Sequence, residues 1–120
     1  MTASEAKEIT LQVLQEMLAR IKAKPDVPVF AEGQKARVTD FYYERLTTLT
    51  GERKCCFCQV HRSYRNPCCT ATCEVAVLCM RGSVATQLVR ECDLEPVYPS
   101  TIATRLAWLI AKLEAVEVEA

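Results

Sequence analysis

The stretch from Cys55 to Cys73, CCFCQVHRSYRNPCCTATC, holds six of the eight cysteines of this 120-residue chain and its only histidine. Thiolates and imidazoles at such density are the ligands of a tetrahedral structural zinc, and a C-x2-C turn supplies two of them without backbone strain. Cys55 and Cys58 have that spacing. Cys69 and Cys73 are the natural second pair, because residues four apart on a helix share one face. Cys68 can stand in for Cys69, and His61 for Cys55 or Cys58. The expectation is therefore one zinc held by Cys55, Cys58, Cys69 and Cys73. Export to an oxidising compartment would turn the same cysteines into disulfides, and an iron–sulfur cluster or bare thiols are the remaining alternatives.

In general pattern this layout resembles the finger and treble-clef zinc modules, which join a turn pair to a pair at a helix start. Thr50-Gly51-Glu52-Arg53 is similar to the linker that precedes fingers of the two-cysteine, two-histidine family. Two departures stand out: His61 has no partner histidine in the sequence, and Gln59 follows Cys58 where a small residue is common. Cys79 and Cys92 fall on apolar helical stripes and read as small core residues. Cys56 and Cys68, each beside an expected ligand, read as packed thiols. A hydrolytic zinc needs an open position and a nearby base, and one histidine supplies little of that, so no enzymatic role is expected. A redox role for Cys55 and Cys58 lacks the strand–helix surroundings of a thioredoxin-like site.

The charge pattern bears on partners. Net charge is zero, but Glu32 to Arg65 carries seven basic residues against four acidic ones, whereas Cys68 onward carries four against seven. Arg53, Lys54, Arg62 and Arg65, with Tyr64 and Phe57 among them, form a set that pairs with phosphates and stacks on bases. Nucleic-acid binding through the basic cysteine-rich loop, in a regulatory role, is the leading expectation. The alternative is a protein-binding adaptor, inhibitor or assembly component whose zinc is purely structural. Ser83 to Glu91 followed by Ser100 to Glu114, with PSTIATRL at the start of the second element, resembles a helix-turn-helix. The connecting loop is longer than that motif's turn, so two core helices are the simpler expectation.

Around this centre the periodicity predicts a mainly α, small single domain spanning 1–120. It would have about four to five helices around a zinc-binding turn or a short β-hairpin. Leu11, Leu14, Leu18 and Ile21, with Val13 and Met17 beside them, predict a helix over residues 4–24, started by a Thr2/Glu5 capping box and ended by Pro25. An extended connector follows over 24–33. Phe41, Tyr42, Leu46 and Leu49 favour a helix into Leu49, and Gly51 breaks it. The cysteine-rich module is expected over 51–80, with a hairpin over 53–60 and a helix over 70–80. A helical pair over 83–118 comprises one helix from Ser83 to Glu91 and a last one capped by Ser100 or Thr101, with Ile102, Leu106, Leu109, Ile110, Leu113 and Val116 around Trp108. The terminal helices offer a seam for a homodimer. The charged amino terminus is neither signal peptide nor membrane span, which points to a cytoplasmic protein with no membrane partner.

Overall fold

The computed structural model describes residues 1–23, 35–53, 55–61 and 99–118, and the side chains among them outside 35–40, 61 and 99–102. The connector at 24–33 and the helices expected over 70–80 and 83–91 lie outside these residues. Among the described residues the protein is mainly helical, with four helices and no strand: α1 (Ala3–Lys22), α2 (Lys35–Thr50), α3 (Cys56–His61) and α4 (Pro99–Glu114). No described helix is long and apolar enough to cross a membrane.

The start of α1 follows from its first residues. The Thr2 hydroxyl accepts from the Glu5 backbone N–H at 3.1 Å, and the Glu5 carboxylate accepts from the Thr2 N–H at 3.2 Å. This reciprocal pair satisfies amides that the first helical turn leaves without internal partners. The buried face runs through Ala6, Thr10, Val13, Leu14 and Met17. Leu11, Leu18 and Ile21, expected at its centre, are partly buried along its edge. The shift brings Thr10 inside, where its hydroxyl donates to the Ala6 carbonyl at 2.8 Å and needs no other acceptor.

All three other helices pack on α1. From α2 come Tyr42 and Leu46, from α3 Phe57, and from α4 Leu106, Leu109, Ile110 and Leu113. Three sequence expectations are corrected here. Leu49 is 37% exposed, one residue before α2 ends. Trp108 is 38% exposed rather than central, because it lies on the opposite side of α4 from Leu106, Leu109 and Leu113. The last helix also begins at Pro99 instead of being capped by Ser100 or Thr101. Proline suits a first helical turn, since its fixed φ is already helical and its missing N–H would have no internal partner there.

Polar contacts fix the helices relative to one another. The Lys7 ammonium donates to the backbone carbonyls of Glu114 at 2.9 Å and Val116 at 2.8 Å, placing a cation from α1 on the carbonyl-rich end of α4. Arg45 on α2 grips Glu16 on α1 through two bonds, Nε to Oε2 at 2.8 Å and Nη2 to Oε1 at 3.2 Å. The hydrogen bonds from Arg45, assisted by one from Gln12, hold the Glu16 carboxyl below its usual pKa.

Two outcomes follow for stability. Thr2→Ala should cost about 1 kcal/mol in denaturant unfolding, through the lost cap. Because the Glu16 pKa is depressed on folding, its contribution is present above the unfolded value and is lost as pH falls through the folded one. Glu16→Gln should therefore flatten the acid limb of the stability curve below about pH 5, while neutral-pH stability falls only modestly because the pair is partly solvated. An unchanged acid limb in that variant would show that the pair contributes nothing.

Candidate metal centre

The approach to the cysteines is built by the end of α2. Gly51 has φ of +82°, a left-handed conformation, and its N–H donates to the Thr47 carbonyl at 2.8 Å. Nothing lies within 4 Å of the position a Cβ would take, so backbone conformation rather than space calls for glycine. The chain turns there and enters α3 five residues later.

One hydroxyl ties the turn together. Thr50 Oγ1 donates its one hydrogen to the Leu46 carbonyl at 2.7 Å, with the Glu52 carbonyl 3.2 Å away, and it accepts from the Glu52 N–H at 3.3 Å. It also accepts from the Gln59 side-chain amide at 3.1 Å, across the turn. Gln59 is only 6% exposed, so its amide is spent on holding α3 against α2. The residue that departs from the usual zinc-turn pattern thus has a positioning role of its own.

The hairpin expected over 53–60 is not formed: Cys56–His61 is a helix. Its first bond, from the Gln59 N–H to the Cys55 carbonyl, is 3.0 Å. Cys55, Cys56, Phe57 and Cys58 are all buried. A buried hairpin edge would need an outside partner for its backbone groups, whereas a helical turn satisfies them locally.

The three cysteines do not share one environment. Cys55 stands just before α3, where its carbonyl accepts the first helical bond, and Cys58 follows in the first turn. Cys56 is turned toward Thr10 of α1. Burial, reinforced by the neighbouring Cys55 thiol, pushes the Cys56 thiol up to about 12, with the Thr10 hydroxyl pulling the other way. Cys56 is thus a neutral core thiol, as its place beside an expected ligand suggests.

Cys69, Cys73 and the alternate Cys68 lie outside the described residues, as does the side chain of the alternate His61. Among the described residues no three cysteine, histidine or carboxylate side chains converge on one point. Of the expected nucleic-acid contacts, Arg53 is described and exposed, while Lys54, Arg62, Tyr64 and Arg65 lie outside. The Arg53 guanidinium sits 5.3 Å from the Tyr43 ring centre, and Tyr43 meets buried Tyr42 edge-on at 5.4 Å. An aromatic pair thus connects this cation to the core. Comparison of the chain with protein-family models, curated proteins and solved structures returns no match.

Sequence reasoning missed the Thr50–Gln59 bond. Its only trace in the sequence is a glutamine inside an otherwise apolar CCFCQV segment. Gly51→Ala should cost about 1–2 kcal/mol by forcing a side chain into left-handed backbone. Gly51→Asn should cost less, because asparagine tolerates that conformation. Equal losses for the two in chemical unfolding would show that the turn changes shape on substitution.

Proposed function

We propose that this chain is a small structural-zinc protein that acts by binding macromolecules, with nucleic acid engaged through the basic cysteine-rich loop. The observation that carries the zinc half of the reading is the pair Cys55 and Cys58, both buried and three residues apart at the start of α3. Burial suits a closed structural site, which excludes water, and not a catalytic one, which keeps an open position. Cys69 and Cys73 complete the set, with Cys68 and His61 as alternates. Zinc would cross-link the start of α3 to the segment that carries Cys69 and Cys73, and the chain does no chemistry on its partner.

The nucleic-acid half rests on residue types beside that cross-link. Arg53 and Lys54 immediately precede Cys55, and Arg62, Tyr64 and Arg65 follow α3 within a few residues. Zinc would limit the freedom of this loop, so that less ordering is left to be done when a strand binds. Arginine and lysine meet phosphates, and tyrosine offers a stacking face.

Protein purified under reducing conditions without added zinc should contain about one zinc per chain, with about four thiols protected until a chelator is added. Its affinity for single-stranded oligonucleotides should fall with added salt, with a log–log slope of about −0.7 per phosphate contact. Arg62→Glu with Arg65→Glu should remove most of that affinity. Metal-free protein with all thiols reactive would end the zinc reading. Oligonucleotide affinity unchanged by the double substitution would end the loop assignment, and no affinity at low salt would favour the adaptor role.

A further inference from the structure

We infer that Gln59 is a positioning residue for the metal: its bond to Thr50 fixes the backbone around Cys55 and Cys58, so that less ordering is left for zinc to impose. This inference rests on the zinc reading above and names what in the described chain prepares that site. Gln59 is held at two places. Its backbone N–H donates to the Cys55 carbonyl at 3.0 Å, and its side-chain amide donates to Thr50 Oγ1 at 3.1 Å. The first bond closes the backbone around both expected ligands. The second fastens that closed turn to the end of α2.

The fastening point is itself well supported. Thr50 Oγ1 gives its hydrogen to the Leu46 carbonyl and accepts from the Glu52 N–H and the Gln59 amide, so its one donor and two lone pairs are all in use. Gln59 is buried beside Cys58, where an amide deprived of its partner costs more than an exposed one. A six-residue helix has little tendency to persist alone in water. Without the Thr50 bond, α3 would rely more on apolar contacts, which reward area rather than orientation. With it, the segment loses less freedom when the metal binds, and the difference appears as affinity. The glutamine that departs from the common zinc-turn pattern thus serves the site through its side chain without being a ligand.

The experiment measures the zinc affinity of the full chain in reducing buffer by competition with a chromophoric chelator. Gln59→Leu keeps a buried side chain, removes the bond, and should weaken zinc binding roughly tenfold. Thr50→Val should weaken it to a similar degree, whereas Thr50→Ser, which keeps the hydroxyl, should stay close to the starting affinity. This second comparison asks the same question with the buried glutamine left in place. Combining Gln59→Leu with Thr50→Val should cost little more than either alone, because both remove the same bond. Thr2→Ala, which removes the cap at the start of α1, should leave zinc affinity unchanged.

Unchanged zinc affinity in Gln59→Leu and Thr50→Val, or losses that simply add in the double variant, would overturn the positioning role and leave the zinc reading standing. A drop in Thr2→Ala equal to that in Gln59→Leu would also overturn it, since affinity would then follow overall stability. No zinc bound by the unsubstituted chain would remove both.

Discussion

The seam that α1 buries along Ala6, Thr10, Val13, Leu14 and Met17 is the constraint under which the other described helices hold their shape, since each of them packs on it. Helices of six or sixteen residues are marginal or worse as isolated segments in water, so α2, α3 and α4 depend on apolar burial for most of their helicity. The dependence is greatest for α3. Its six residues become a helix because Phe57 and the cysteines around it have an apolar wall to enter and because the helical turn satisfies their backbone groups at once. The helical conformation of residues 56–61 thus depends on packing against the amino-terminal helix, some forty residues earlier in the chain.

Polar groups add direction to that packing. Apolar burial alone would let neighbouring helices slide or rotate, because it rewards area and not orientation. Lys7 ties α1 to the last carbonyls of α4, Arg45 and Glu16 set α2 against α1, and Gln59 and Thr50 set α3 against α2. Each contact joins different elements, so together they define a register. The last has the most direct consequence for chemistry: it helps fix the rotation of α3, and with it the turn of Cys56 toward Thr10.

The surface shows how the same residue types take different tasks. Arg20 lies 4.7 Å from the centre of the Phe41 ring, bridging α1 and α2, and in doing so shields a partly buried aromatic from water. Arg53 rests on Tyr43, whose neighbour Tyr42 is buried, so this cation is anchored to the core through a chain of rings. Arg105 covers an aromatic that stays exposed. A cation over a ring reads as packing in the first case and as an accessible surface in the last, and the difference lies in what stands behind the ring.

Much of the helical skeleton was legible from local signals. The Thr2/Glu5 capping box and the glycine that ends α2 act through neighbours a few residues away, so sequence spacing alone carries them. The apolar repeat of α4 likewise marks Leu106, Leu109, Ile110 and Leu113 as interior. What the sequence left open was decided by partners distant in the chain. Whether residues 53–60 make a hairpin or enter a helix depends on the wall that α1 offers. Which part of the α1 stripe is central depends on three helices closing around it. Trp108 falls outside because the leucines of α4 had already claimed the side facing α1. Periodicity tells that a face is apolar, but only packing tells where its middle lies. By itself the sequence determined the cysteine spacing, the caps and the helical periods, because these are properties of short stretches. The tertiary structure decided the turn of Cys56 toward Thr10, the burial of Gln59 and the exposure of Trp108, because these depend on contacts between segments whose separation along the chain no local pattern encodes.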